Sequence, residues 1–205
     1  GKGQYTVFLT ADHAVAHVAG FMKENKLPGG TVDEEGGMKV VNKKLKELFG
    51  VDSLILSTYN YQLTLNQLAI KNNNLDRKKI ISWTIEYCAK LDGIARVFEV
   101  EELMETPLNS TIKDRIANGY FPKRSGDIQL VYQPGYMDGK YTGTTHGLWN
   151  PYDSHIPLLW YGWGVKKGNS HREVYMTDIA ATVAALLKIQ MPSGCIGKVI
   201  EEVIK

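Results

Sequence analysis

The chain has 205 residues, of which 43% are hydrophobic and 22% charged, and this composition excludes a disordered chain, a collagen-like sequence and a coiled-coil rod. The formal net charge of +2 disfavours a nucleic-acid-binding protein, because such proteins carry a basic excess. No apolar run approaches the ~18–20 residues of a transmembrane helix. The sequence begins Gly1-Lys2-Gly3-Gln4, without a methionine, and passes at once into a strand-like run, so we expect a segment of a longer chain.

The first half of the chain alternates between strand-like and helix-like apolar patterns. These patterns predict a buried strand at 5–10, helices at 14–23 and 38–49, strands at 53–57 and 61–65, a helix at 77–91 and a strand at 94–100. Gly50 stands where the second helix needs a C-cap, and Asp76 stands where the third needs an N-cap.

The second half begins with a helix and ends with one. The predicted elements are a helix at 110–119 capped by Asn109 or Ser110, a strand at 127–133, an irregular loop at 135–155, a strand at 156–161 and a helix at 177–187 capped by Thr177 or Asp178. Long irregular loops inside a domain are often functional, so the loop is a candidate for carrying a site.

Strands that alternate with helices and carry continuous apolar runs are typical of an α/β fold with a mostly parallel sheet flanked by helices. The central part has the order strand, strand, helix, strand, which predicts an inserted α+β subdomain at 31–108. Residues 1–30 and 109–205 then form the core. In such sheets ligands bind beyond the carboxyl ends of the strands, which is where Asp12 and His13 lie.

Several common catalytic motifs are missing from the sequence. There is no GxGxxG after a strand, no Walker A motif and no GxSxG, which disfavours a dinucleotide enzyme, a P-loop enzyme and an α/β-hydrolase. Cys88 and Cys195 have no CxxC or Cys/His spacing, so a zinc finger is excluded and a disulfide between them is left open. The candidates for chemistry are therefore the histidines and the carboxylates near them.

Asp12 and His13 follow a predicted strand directly, so both can turn toward one site. Carboxylate oxygen with imidazole nitrogen is a normal ligand mixture for zinc. The dipeptide is a weak signal by itself, and ordinary loop polarity is the alternative. His13 and His17 also form an HxxxH pair, and on a helix both rings would lie on the same face. The simpler interpretation is that His17 is an exposed residue.

The predicted loop contains two further histidines. His146 lies in a Thr-Thr-His-Gly step, and His155 lies just before the last strand. Either ring could bind a metal, and either could instead form loop hydrogen bonds, which is the commoner role of a lone histidine. His171 lies in a polar turn and is expected to be solvated. The residues alone therefore indicate an Asp/His metal site at strand ends without choosing its chemistry.

Three ordered segments together resemble the alkaline phosphatase superfamily. They are FLTADH at 8–13, GTTHG at 143–147 followed by DSHIPLLWYG at 153–162, and MTDIAATVAALL at 176–187. Their order and separation are similar to the C-terminal portion of that fold. The resemblance is closest to the bacterial phosphate-irrepressible alkaline phosphatases, which carry an α+β insertion between the first two segments.

The resemblance implies two zinc ions in the full-length enzyme. Asp12 and His13 would bind the zinc that activates the nucleophile, and His146 would bind the second zinc. His155 is the second choice for that ligand, or it orients the loop. No residue of this segment matches the family's nucleophile, which is expected upstream, so the segment alone is expected to bind little or no zinc and to be inactive.

The reaction implied by the resemblance is hydrolysis of phosphate monoesters through a covalent phosphoenzyme. A phosphodiesterase or nucleotide pyrophosphatase of the same superfamily, or a non-catalytic α/β interaction module, are the alternatives. The implied partners are a small-molecule phosphate ester and the N-terminal remainder of the same chain. The resemblance also implies a periplasmic or secreted protein, although this segment contains no signal peptide.

Overall fold

The computed structural model describes residues 3–205, so the first two residues of the opening tetrapeptide lie outside it. In chain order the elements are β1 (Thr6–Thr10), α1 (Ala19–Glu24), β2 (Gly30–Val32), α2 (Glu34–Phe49), β3 (Ile55–Tyr59), β4 (Gln62–Leu65), α3 (Gln67–Asn72), α4 (Arg77–Cys88), β5 (Ile94–Glu99), α5 (Ser110–Gly119), β6 (Ile128–Tyr132), β7 (Tyr136–Asp138), α6 (Pro151–Ser154), β8 (Leu158–Gly162) and α7 (Thr177–Leu187). They form two compact units, one built from the described residues up to Asp12 with Ile156–Lys205, the other from His13–His155.

The first unit contains the antiparallel ribbon of β1 and β8, in which Thr6 lies opposite Gly162 and Thr10 opposite Leu158. The strand predicted at 5–10 is confirmed, but its predicted burial is wrong for the described chain. Val7, Phe8 and Leu9 are 50%, 42% and 63% exposed. Among the described residues β1 has β8 as its hydrogen-bonded neighbour, so no further strand covers it.

The apolar helix of the first unit is α7, which buries one face. Its hydrogen bonds reach the segment near residue 200, because the Thr182 hydroxyl accepts from the Ile200 N–H at 2.9 Å and donates to the Asp178 carbonyl at 2.7 Å. The predicted cap is wrong: the N-cap is Met176, which makes no capping bond. The Asp178 carboxylate instead accepts from the Tyr175 N–H through Oδ2 and from the Lys198 N–H through Oδ1.

The second unit is built on a four-stranded sheet with the order β3-β4-β6-β5, whose neighbouring strands are all antiparallel. All five residues of β6 are buried, because Ile128, Leu130 and Tyr132 pack into one apolar cluster and Val131 packs into another with Phe98 and Ile116. Asn60 and Tyr61 have φ of 52° and 61° and form the two-residue turn between β3 and β4. A separate parallel pair joins β2 to β7.

The predicted mostly parallel sheet does not appear in the described chain, where β2–β7 is parallel and the other strand pairs are antiparallel. The physical reason is that a two-residue turn forces β3 and β4 to run in opposite directions. A continuous apolar run predicts a buried strand but says nothing about which neighbour it pairs with, as β6 shows. The proposed boundaries at 31 and 108 stay a prediction.

The first predicted helix is shorter than expected. It begins at Ala19, and residues 14–18 have no regular structure because their backbone bonds to a distant loop: Ala14 N–H donates to the Asp153 carbonyl at 2.9 Å and Ala16 N–H to the Thr145 carbonyl at 3.2 Å. His17 is therefore not helical, and the HxxxH geometry predicted with His13 is wrong. Within residues 3–205, no helix is long and apolar enough to cross a membrane.

Candidate active site

His13 comes three residues after the end of β1, in a stretch of chain without regular structure. Its ring is partly buried, and Nδ1 lies 2.5 Å from the carbonyl oxygen of Ala14. A carbonyl oxygen only accepts, so this contact requires the proton on Nδ1. The electron pair of the neutral ring is then on Nε2, which is the nitrogen that a metal ion would take.

The structure brings His146 against His13. The two rings are stacked, with centroids 3.5 Å apart and planes 9° from parallel. Of the histidines predicted from sequence, these two form the pair.

Hydrogen bonds fix the loop that carries His146. The Thr144 hydroxyl donates to the Ala16 carbonyl, and the buried Asp153 carboxylate accepts from the Leu148 N–H at 2.7 Å through Oδ2. The backbone carbonyl of Asp153 accepts from Ala14, next to His13. Asp153 thus holds both the loop and the chain beside His13. The other oxygen of Asp153, Oδ1, is buried and has no hydrogen-bond partner among the described residues.

Tyr61, at the tip of the β3–β4 hairpin, supports the same loop from the other side. Its hydroxyl donates to the His146 carbonyl at 3.4 Å, and its ring packs edge-on against Tyr132 and Trp149. Burial, followed by the negative charge of Glu34, raises the pKa of Tyr61 to about 12, which keeps the hydroxyl protonated as a donor. Gly147 follows with φ of 109°, a conformation that favours glycine.

The other histidines lie elsewhere. His155 is exposed, its N–H ends α6 by donating to the Pro151 carbonyl, and its side chain makes no hydrogen bond, ion pair or ring contact with the described residues. His17 packs its ring against Phe21, with centroids 6.0 Å apart. His171 is exposed, as predicted, in a stretch without regular structure. The sequence did not predict that Asp153 and Tyr61 hold the His146 loop. The only signal near Asp153 was the neighbouring His155, and the only signal at Tyr61 was a predicted turn.

The chain is similar in sequence and structure to known alkaline phosphatases. Over its whole length the chain is 45% identical to the alkaline phosphatase PafA of Elizabethkingia meningoseptica, covering 37% of that protein, and 43% identical to the alkaline phosphatase PhoV of Synechococcus elongatus, also covering 37%. The crystal structure of wild-type PafA superposes with a TM-score of 0.94 at 44% identity. Over its whole length the chain is therefore similar to part of these alkaline phosphatases. The resemblance inferred from the three segments is thus confirmed.

The chain matches only part of the length of its relatives. A protein of Myroides odoratus named calcium-transporting ATPase is 45% identical over the whole chain, which covers 38% of it. No protein-family model matches the chain. The chain spans just over a third of the length of the curated relatives that it matches, and 39% of the PafA crystal-structure chain.

The donor chemistry in this alkaline phosphatase relative suits part of a zinc site. Imidazole nitrogens with a neighbouring carboxylate are the ligands that zinc takes in catalytic sites, usually three from the protein to each ion. Between residues 3 and 205 no group of three or more His, Cys, Asp and Glu side chains is close enough to hold a metal ion. His13 and His146 therefore fit as members of ligand sets that this segment does not complete. Cys88 and Cys195 are free thiols.

Proposed function

We propose that this chain is part of a zinc-dependent enzyme that hydrolyses phosphate monoesters through a covalent phosphoenzyme. The observation that carries the proposal is the stacked pair of His13 and His146, in a chain 45% identical to an alkaline phosphatase. Both histidines come from motifs that resemble the family's metal-binding segments, and the fold brings them together from distant parts of the sequence.

In the proposed site Asp12 and His13 hold one zinc ion, and His146 holds the second. When bound, paired zinc ions stabilise negative charge on the entering and leaving oxygens of a phosphoryl transfer. Among the chain's own residues, the Ala14 carbonyl fixes the tautomer of His13, while Asp153 and Tyr61 fix the backbone that presents His146. His155 stays the second choice for the ligand role of His146.

The remaining parts of the proposed enzyme lie outside this segment. We assign the nucleophile and the missing zinc ligands to the rest of a longer protein, because the segment covers 37% of PafA and holds no complete metal-binding cluster between residues 3 and 205. In this arrangement residues 1–30 and 109–205 belong to the phosphatase core and residues 31–108 form the insertion. A periplasmic or secreted location is part of the same proposal.

A phosphodiesterase or nucleotide pyrophosphatase of the same superfamily is the second candidate, since the same zinc ligands serve both reactions. Hydrolysis of p-nitrophenyl phosphate against bis-p-nitrophenyl phosphate separates the two. A non-catalytic interaction module would hydrolyse neither compound and would bind no zinc.

The decisive experiment replaces single histidines in the full-length protein and measures both bound zinc and p-nitrophenyl phosphate hydrolysis. We expect His13→Ala and His146→Ala each to lower zinc content and to reduce kcat at least 100-fold. The control is His171→Ala, an exposed histidine with no role in the proposed site, which keeps its zinc and stays within threefold of wild type. Unchanged zinc and activity in His13→Ala would refute the proposed site.

A further inference from the structure

The loop that carries His146 has no regular structure from residue 143 to residue 149. A side chain on such a segment keeps a fixed position only where contacts with other elements hold the backbone. One such contact comes from α5. Arg115 donates from Nη1 to the carbonyl oxygen of Trp149, three residues after His146, at 2.8 Å.

The bond from Arg115 is a strong one for its kind. The guanidinium keeps its charge at any pH at which the protein is folded, and a hydrogen bond from a charged donor is stronger than one between neutral groups. Within residues 3–205 no salt bridge includes Arg115. No acid of the described chain therefore draws the guanidinium away from the Trp149 carbonyl.

Leu148 and Trp149 are neighbours in the chain but pack against different apolar clusters. Leu148 is 6% exposed and belongs to the cluster that contains Ile128 of β6. Trp149 packs against the cluster that contains Val131 of β6 and Ile116 of α5. Residues 128 and 131 point to opposite faces of the sheet, because side chains alternate along a strand. The chain just after His146 is thus anchored at two faces of one sheet.

Trp149 joins these contacts to the β3–β4 hairpin. Its ring packs edge-on against Tyr61, with centroids 5.9 Å apart and planes 69° from parallel. Ring packing limits where the side chain lies, but it leaves the peptide group free to turn. The bond from Arg115 to the carbonyl oxygen fixes that turn, so it sets the direction in which the backbone leads back to His146.

We propose that Arg115 is a positioning residue for His146, acting through the Trp149 carbonyl. The bond keeps the loop in the arrangement in which the His146 ring lies against His13, 3.5 Å between centroids. A ligand that is already in place loses less conformational entropy when it binds a metal ion. The effect on zinc and turnover rests on the proposed function, whereas the hold on the loop does not.

Amide hydrogen exchange, measured by mass spectrometry in the full-length protein, tests the hold on the loop. Arg115→Met keeps most of the side-chain stem and removes every donor, so we expect exchange at residues 143–150 to become about tenfold faster. Lys113→Met is the matched control, because Lys113 also donates from α5 to a backbone carbonyl, that of Met104 at 2.9 Å, outside this loop. Its loop exchange stays within twofold of wild type. Unchanged exchange in Arg115→Met would overturn the proposal.

Zinc affinity and kinetics test the positioning role in the same variants. We expect Arg115→Met to weaken zinc binding about tenfold and to lower kcat for p-nitrophenyl phosphate about tenfold, with KM within twofold of wild type. Arg115→Lys keeps a charged donor and is expected to stay within threefold in each value. Arg115 also lines the cavity of about 1080 Å³ beside His146. A raised KM with unchanged kcat would therefore mean that it contacts substrate, which contradicts a positioning role.

The two measurements separate this proposal from the proposed function. Faster loop exchange in Arg115→Met, with zinc retained in both that variant and His146→Ala, would support the hold on the loop and refute His146 as a zinc ligand. Loss of zinc in His146→Ala, with zinc and kcat unchanged in Arg115→Met, would refute the positioning role and leave the proposed function standing.

Discussion

Asp153 supports the candidate site through two separate bonds, one from its carboxylate to the Leu148 N–H and one from its carbonyl to the Ala14 N–H. The carboxylate is nearly inaccessible to solvent, with 2% of the residue exposed. A buried N–H that loses its acceptor costs more than the bond itself contributed, because water cannot replace it. A single side chain thus holds the His146 loop in place.

Replacement of this carboxylate is a residue-scale prediction. We expect Asp153→Ala to lower the free energy of unfolding by about 1–3 kcal/mol, since the Leu148 N–H is left buried and unpaired. Asp153→Asn keeps an acceptor oxygen and is expected to lose less than half as much. Urea unfolding of the full-length protein measures both variants. An equal loss of unfolding free energy in the two variants would contradict the role given to the hydrogen bond from the Leu148 N–H.

Tyr61 makes a pH-dependent contribution at the same scale. Its pKa is raised to about 12 in the folded protein, chiefly by burial, against about 10 in the unfolded chain. The unfolded chain therefore loses this proton first, and the resulting stability is complete below pH 10 and is lost as pH rises toward 12.

Urea unfolding at pH 9, 10.5 and 12 tests this effect. We expect Tyr61→Phe to remove about 1 kcal/mol of the fall in stability between pH 10 and 12, a value that allows for solvent screening at a partly exposed ring. At pH 8 the variant should differ from wild type only by the long hydrogen bond to His146. An identical alkaline slope in both proteins would contradict the assignment.

At the scale of elements, α2 shows how local signals mark a helix. Asp33 caps its start by accepting from the Gly36 N–H at 2.9 Å, and Gly50 ends it with φ of 74°. The sequence predicted the end correctly because Gly readily takes this conformation. It missed the start, since Gly36 and Gly37 interrupt the helical apolar pattern there.

Two glycines of this region give substitutions of opposite sign. A Cβ at Gly50 meets nothing within 4 Å, so Gly50→Ala is expected to destabilise by about 1 kcal/mol through backbone conformation alone. A Cβ at Gly37 also meets nothing, and this residue is helical, so Gly37→Ala is expected to stabilise by about 0.5–1 kcal/mol. Urea unfolding of the full-length protein measures both. The same sign for both changes would contradict this account of α2.

At the scale of the whole molecule, the question is whether this segment can act by itself. A catalytic zinc ion normally has three protein ligands, and the chain from residue 3 onward holds no such group. The apolar side chains of β1 are exposed in the same described chain, where they contact no further strand.

We therefore expect the purified 205-residue chain to show no hydrolysis of p-nitrophenyl phosphate above background in excess zinc, under conditions in which the full-length protein is active. Circular dichroism of the same sample checks that it is folded. Hydrolysis at a rate within tenfold of the full-length protein would contradict the assignment of missing ligands and nucleophile to the rest of the protein.

The sequence by itself determined the elements whose signals are local. The Gly50 and Asp76 caps, helix α5 and the buried strand β6 were predicted from residues within a few positions of each other, because apolar period and capping are short-range effects. The three ordered motifs also identified the resemblance to alkaline phosphatases, since each motif is a continuous stretch. Two of these motifs contain His13 and His146, which made the two histidines candidate zinc ligands.

The tertiary structure alone decided how these parts meet. It paired the strands mostly antiparallel, left residues 14–18 without regular structure where a helix was predicted, and stacked His13 on His146 while leaving His155 outside. It also recruited Asp153 and Tyr61 as supports. Each of these outcomes depends on contacts between distant segments. A local pattern predicts which side chains are buried, but it does not predict the segment that they pack against.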